Sequence, residues 1–309
     1  MPLLETVRLT KYYGSFPALV DLNISVEEGE IYGFVGPNGA GKTTSMKIMA
    51  TLMGASSGDV LIDGESVLQK PARARRLIGY MPDFFGVYDN LKVSEYLDFY
   101  ADACNVPKAG RRTLADELLT LVNLSDKREC YVDTLSRGMK QRLCLARSLI
   151  HDPRLLILDE PASGMDPQAR AEMKSILKAL KGQGKTILIS SHILAELSEI
   201  CDRFAIISRG QLMAAGSIEE ISGALGINPR LCFRFLSETD FENATAILRT
   251  HPETGPLTRD GDILEAVFDG TDQSAAAIIR HLSAAGVNIV SAYKTAKSLE
   301  QVFLEVVSK

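Results

Sequence analysis

The chain has no tryptophan, and aromatic residues make up only 6% of its 309 positions. Long apolar runs are missing as well. The longest, such as Leu155–Leu158 and Ile187–Ile189, fall far short of the ~18 residues that span a bilayer. No membrane-crossing helix is expected, so any service to a membrane would go through a separate partner. The five cysteines (Cys104, Cys130, Cys144, Cys201 and Cys232) contain no CxxC and no paired spacing. This excludes a zinc ribbon or a disulfide frame and fits reduced cytosolic thiols that fill core positions. The N-terminal MPLLETVRLTK lacks the charged-then-apolar pattern of a secretory leader. Basic excess is absent too: 34 Lys and Arg stand against 39 Asp and Glu, a net charge of −5. Residues 220–309 hold 8 basic and 12 acidic side chains, or −4, which leaves −1 for residues 1–219. With no basic tail or patch in the balance, a nucleic-acid partner is not expected.

What is present is a chain 46% hydrophobic and 24% charged, the profile of a soluble α/β protein and not of a disordered, collagen-like or coiled-coil one. Its length favours two domains, or one with an extension. Short β-rich runs at 3–10, 18–26 and 30–35 predict an N-terminal set of strands broken at Gly14, Pro17 and Gly29. A helix is predicted from Lys42 to Met53, stopping at Gly54, and a strand at 59–64. Residues 90–129 place Leu114, Leu118, Leu121 and Val122 at helical spacing, so a helical insert interrupts the α/β pattern. Ser136 caps a helix that ends near Pro153, and Leu155–Asp159 is a buried parallel strand ending in acid. Then come a helix at 167–181, a strand at 186–190, a helix at 193–201 and a hairpin at Arg209-Gly210. A boundary is predicted near residue 220. Beyond it follow a strand (231–236), a helix (239–249), a hairpin centred on Asp260-Gly261, a helix (271–284), a strand (287–295) and a last helix. That helix opens with Ser298 and Gln301 at capping-box spacing and carries Leu299, Val302, Phe303 and Val306 on one face. The order βαββαβ fits a small ferredoxin-like α+β domain.

Gly36-Pro37-Asn38-Gly39-Ala40-Gly41-Lys42-Thr43 satisfies G-x-x-x-x-G-K-[ST] between an apolar strand and a helix, the context that confirms a phosphate loop. Phosphate needs donors at close range, and the glycines let backbone N–H groups from 39–44, Thr44 included, converge on it at the positive end of a helix. Lys42 adds charge-assisted bonds to the β- and γ-phosphates, and the Thr43 hydroxyl is a ligand for Mg²⁺. Asp159 and Glu160, which end the apolar run, supply the acids such a site requires. Asp159 holds Mg²⁺ through water, and Glu160 faces the nucleophile as general base.

With these residues the chain resembles the ATP-binding subunit of an ABC transporter over residues 1–220. Tyr13 in KYYGS matches the aromatic that stacks on adenine, with the adjacent Tyr12 as competitor; Leu135-Ser136-Arg137-Gly138-Met139 matches the LSGGQ signature. Ser163-Gly164-Met165-Asp166 matches the D-loop, and His192 in SSH matches the switch histidine that contacts the γ-phosphate. The resemblance implies a P-loop NTPase ABC cassette, with a mixed-sheet core, N-terminal antiparallel strands and a helical insert at about 84–150, followed by an accessory α+β domain at 221–309. It also implies ATP and Mg²⁺ as ligands and a dimer in which each ATP lies between one subunit's loop and the other's Ser136 and Gly138.

Two positions depart from the family. The signature has Arg137 for its first glycine and Met139 for its glutamine, while Ser136 and the Gly138 amide are kept. The Q-loop, usually YxPQ, reads Tyr80-Met81-Pro82-Asp83, so a carboxylate stands where the family offers a neutral oxygen to Mg²⁺; Asp83 is either that ligand or a surface acid. Phe84, Phe85, Val87 and Tyr88 follow where the family receives the coupling helix of its membrane subunit, and are either groove or insert core. SLEQVFL at 298–304 resembles the SLEDVFL end of ATPases of ABC-2-type exporters of the daunorubicin-resistance kind. These matches imply an exporter ATPase at the inner face of the cell membrane, attached through integral permease subunits. The alternatives are a non-transport ABC ATPase and a regulatory nucleotide-binding module with weak hydrolysis.

Overall fold

The computed structural model describes residues 2–84, 86, 90–191, 193–224, 229–268, 270–295 and 299–307. The chain divides into two units, Met1–Ser217 with Phe303–Lys309, and Ile218–Val302. In chain order the first contains β1 (Pro2–Tyr13), β2 (Phe16–Leu22), β3 (Ser25–Glu27), β4 (Ile31–Val35), α1 (Lys42–Met49), β5 (Ser57–Ile62), β6 (Glu65–Ser66), α2 (Pro71–Leu77) and β7 (Ile78–Met81). It continues with α3 (Val93–Ala103), α4 (Arg111–Leu121), α5 (Arg137–Ser148), β8 (Leu155–Leu158), α6 (Pro167–Gly182), β9 (Thr186–Ser190), α7 (Leu194–Ser198), β10 (Arg203–Ser208) and β11 (Gln211–Gly216).

One sheet runs β11-β10-β4-β9-β8-β7, parallel except for the β10–β11 hairpin. Every residue of β4, β8 and β9 is buried, as continuous apolar runs covered on both faces must be. The second sheet is antiparallel, in the order β2-β1-β5-β6 with β3 also on β1. Leu4, Leu9, Leu19 and Val60 from it share a core with Phe34 and with Met46 of α1. The Arg209-Gly210 hairpin has both residues left-handed, φ 49° and 77°, the requirement of a two-residue type I′ turn.

Three local expectations shift. The strand expected at 18–26 is two strands, because the chain kinks where Arg8 and Asp21 both turn left-handed (φ 46° and 53°). There Asn23 Oδ1 accepts the Arg8 N–H at 2.7 Å and Thr10 Oγ1 the Asp21 N–H at 3.0 Å, in place of ladder bonds. Helix α1 ends at Met49, not Met53, because Thr51 is left-handed (φ 61°) and Leu52 donates its N–H back to Lys47 O at 2.8 Å, a Schellman-type stop. The helix expected at 193–201 shortens to α7 and leaves through turns at Ile200 and Cys201. In the insert, α3 buries Val93, Tyr96, Leu97 and Ala101, and α4 buries Ala115, Leu118 and Leu119; of the expected face, Leu118 and Val122 are buried and Leu114 and Leu121 half-buried.

The second unit holds α8 (Ile218–Ala224), β12 (Arg230–Phe235), α9 (Glu238–Arg249), β13 (Thr254–Asp260), β14 (Ile263–Phe268), α10 (Asp272–Ala284) and β15 (Ile289–Thr295). Its antiparallel sheet runs β13-β14-β12-β15, the ferredoxin-like arrangement for a βαββαβ order. Phe233, Leu264 and Phe268 of the sheet pack with Phe241 and Leu248 of α9 and Ile278 and Leu282 of α10. The β13–β14 loop is Gly261-Asp262, since Asp260 already pairs with Ile263. A final helix α11 (Leu299–Val307) buries Leu299, Val302 and Val306, with Phe303 half-buried. Ser298, expected to cap it, lies outside the described residues.

Candidate nucleotide-binding site

Strand β4 delivers residues 36–41 into the first turn of α1. Two glycines there are obligatory. A Cβ on Gly36 would sit 2.5 Å from Ile207 O, and Gly41 (φ 104°) would push one to 2.6 Å from Leu19 Cδ2. Lys42 is buried, and its Nζ donates to Gly36 O at 2.6 Å and to Pro37 O at 3.3 Å. Burial lowers its pKa, while the charges of Glu160 and Asp159 work against that shift. The lysine head therefore lies inside the loop it serves, near two carboxylates.

Those carboxylates leave the end of β8. Asp159 is 1% exposed. Its Oδ1 accepts from Ser190 Oγ at 2.8 Å, and its Oδ2 has no hydrogen-bond partner among the described residues. A buried carboxylate oxygen left without a donor costs free energy unless a cation completes it, so the donor set fits a hard divalent ion. Glu160, half-buried, is left-handed (φ 51°). Its N–H is held by Ser190 Oγ at 3.0 Å. Ser190 thus bridges both acids. The sequence alone does not mark Ser190, because its role depends on β9 lying beside β8, and its only local signal is its place at the end of the TILIS run.

The aromatics Tyr13 and Phe16, the loop residues Asn38, Gly39 and Gly41–Thr44, and the acids Asp83 and Glu160 line one cleft of about 310 Å³. Tyr13, not Tyr12, faces it. Tyr13 and Phe16 pair across the hairpin, so Phe16 adds a second aromatic to the cleft, brought there by strand pairing and not by any sequence motif. The Tyr13 hydroxyl sits 3.1 Å from Met53 Sδ, and Lys11 Nζ lies 5.6 Å from its ring centroid. Behind Asp83 the Tyr80 hydroxyl is buried without a hydrogen-bond partner among the described residues. Its pKa is pushed up by burial and by Asp159 and Asp83.

Ser136, Gly138 and Asp166 do not line this cleft. Ser136 caps α5, its Oγ accepting the Met139 N–H at 3.3 Å, and Asp166 caps α6, accepting from Ala169 N at 2.9 Å. Gly138 packs where a Cβ would come within 3.1 Å of the Ala169 Cβ. His192, Phe85, Val87 and Tyr88 lie outside the described residues; Phe84 is 89% exposed. The phosphate loop and the strand-end acids on one cleft define the class, a P-loop nucleotide-binding domain, with the Ser136-capped helix α5 outside the cleft lining.

The family model described as ABC transporter matches residues 19–163. An ABC transporter ATP-binding protein of Synechocystis sp. is 38% identical over 230 residues, 72% of this chain and 64% of that relative, so the match spans just under two thirds of its length. The Nod factor export ATP-binding protein I of Burkholderia orbicola is 40% identical over 207 residues, 67% of this chain and 68% of the relative. A solved structure of the ATP binding subunit of an ABC transporter superposes with a TM-score of 0.67 at 32% identity, over 73% of this chain and 94% of that one. The chain belongs to the family of ABC transporter ATP-binding proteins.

Proposed function

We propose that the chain is the Mg²⁺-dependent ATPase subunit of an ABC-2-type exporter, acting as a dimer on separate integral membrane permeases. Residues 1–220 are the ATP-binding domain in this reading and 221–309 an accessory domain. The observation that carries it is the buried Asp159, with one oxygen unpartnered, beside Glu160 on the cleft that Lys42 enters. The N–H groups of 39–44 hold the β- and γ-phosphates with Lys42, and Tyr13 stacks on the adenine. Thr43 and Asp159 hold the metal, with Asp83 as a further oxygen donor. A bound magnesium ion supplies neutralisation of charge on the terminal phosphate. Glu160 takes the proton from the attacking water, with His192 positioning that water at the γ-phosphate. Because Ser136, Gly138 and Asp166 stand off the cleft, they serve the nucleotide of a second subunit, the head-to-tail arrangement of the family.

Export, and not import, is favoured by the SLEQVFL segment at 298–304 and by the similarity to the Nod factor export ATP-binding protein I of Burkholderia orbicola. No helix among the described residues is long and apolar enough to cross a membrane. The net charge of −5 disfavours direct attachment to anionic lipid, so attachment at the inner membrane face comes through permease contacts. Affinity isolation of the chain from its own cells is expected to bring down an integral membrane protein. Recovery of ribosomes or DNA in its place would overturn the transport reading.

Replacing Asp159 by Asn separates metal binding from folding. The amide keeps an acceptor for Ser190 Oγ and removes a buried charge. The nucleotide-free chain should then gain about 1 kcal/mol, seen as a thermal midpoint ~2–4 °C higher. The further rise that Mg-ATP produces in the native chain should disappear. A lower midpoint without nucleotide, or an intact Mg-ATP shift, would contradict the assignment.

A further inference from the structure

We infer that Arg137 is a positioning residue for Glu160, acting through the loop 161–166; this rests on the ATPase reading above. Arg137 and Gln141 stand one turn apart on α5 and so share a face. Gln141 is buried, and its Nε2 donates to Ser163 O at 2.8 Å. The Arg137 guanidinium lies over the α-carbon of Gly164, where a Cβ would be 2.5 Å from Cζ and 2.7 Å from Nη1. Gly164 is itself left-handed (φ 69°). Helix α5 therefore grips two consecutive residues of the loop by two different contacts.

That loop leads straight back to the base. Ser163 donates its N–H to Glu160 O at 3.0 Å. Glu160 holds a left-handed backbone (φ 51°), which is strained for a non-glycine residue and persists only where the surroundings enforce it. Ser190 holds the Glu160 N–H from one side. Ser163, fixed by Gln141 and bordered by the Arg137–Gly164 contact, holds the carbonyl from the other. Among the described residues Arg137 makes no ion pair and no side-chain hydrogen bond, so its contact with Gly164 is the structural use of its planar head. Lysine offers no such plane. The substitution that departs from the family signature thus joins the Ser136 end of α5 to the loop carrying the base of the same chain.

The test is a double-mutant cycle of single-turnover phosphate release in native chain, Arg137→Ala, Glu160→Gln and the double variant. Arg137→Ala is expected to slow release by ~10- to 100-fold, the cost of a misplaced catalytic group, with the KM for ATP within about twofold of native. Arg137→Lys should match it, and carries the cycle if the alanine variant does not fold. In the Glu160→Gln background the Arg137 change should add nothing, since a residue that acts by aiming Glu160 has nothing left to aim. Costs that multiply would show that Arg137 acts on its own, by direct contact with phosphate, and would overturn the proposal. Native turnover in Arg137→Ala beside an inactive Glu160→Gln would overturn it alone. Native turnover in Glu160→Gln would remove the base assignment, and the proposal with it.

Discussion

Glu160→Gln should bind ATP at least as well as the native chain and release phosphate about 10²- to 10⁴-fold more slowly, the loss expected when a general base is removed. The substitution is nearly isosteric. The backbone contacts that hold position 160, from Ser190 Oγ to its N–H and from the Ser163 N–H to its carbonyl, do not involve the carboxylate. What changes is that an amide cannot take a proton from water. Affinity should hold or rise, because one of the two carboxylates near Lys42 is neutralised and the incoming nucleotide is polyanionic. ATP that is bound but not cleaved should then accumulate between two chains, with the phosphate loop of one facing Ser136 and Gly138 of the other. Size-exclusion chromatography with Mg-ATP would show a dimer that ADP does not support. Phosphate release at the native rate would sink the base assignment, and a monomer under saturating ATP would sink the two-chain site.

The parts of the site that were legible in the sequence are those whose chemistry is contiguous. Gly36 to Thr43 is one string, and Asp159-Glu160 closes one apolar run; both fell where expected because strand-to-helix and strand-to-loop transitions are local events. Ser190 was not legible. It reaches both acids only because Leu158 and Ile189 are neighbours in the parallel sheet, and strand order is set by long-range packing. The Arg137 contact with Gly164 is of the same kind, joining positions that only the packing of α5 on the 161–166 loop brings together. The end of α1 failed for another reason. Hydrophobic spacing continues to Met53, yet Thr51 adopts a left-handed backbone that its β-branch disfavours, with Arg75 Nε donating to its Oγ1 at 2.9 Å. Tertiary contact overrode propensity there. The second unit was readable because β14 alternates buried and half-buried residues and the β13–β14 connection carries its own turn residue, Gly261.

Lys42→Ala should act on binding where Glu160→Gln acts on chemistry. The lysine head is not a surface charge that water could replace: it is buried in the loop, donating to Gly36 O and Pro37 O. The same ammonium has to serve the β- and γ-phosphates. Each charge-assisted bond lost is worth about 1.5–3 kcal/mol. Two of them, at ~1.4 kcal/mol per decade, weaken ATP binding by roughly 10²- to 10⁴-fold. Alanine also leaves the Glu160 and Asp159 charges without their nearby cation, and this adds repulsion against the phosphates in the same direction. Turnover should fall below detection, and the Mg-ATP rise in thermal midpoint should vanish. The order of the two losses gives a combined check. In the double variant Lys42→Ala/Glu160→Gln no ATP-dependent dimer should form, since a trap that works after binding cannot hold a nucleotide that does not bind. A dimer in the double variant, or titration calorimetry showing native affinity in Lys42→Ala alone, would place the phosphates somewhere other than the loop at 36–43.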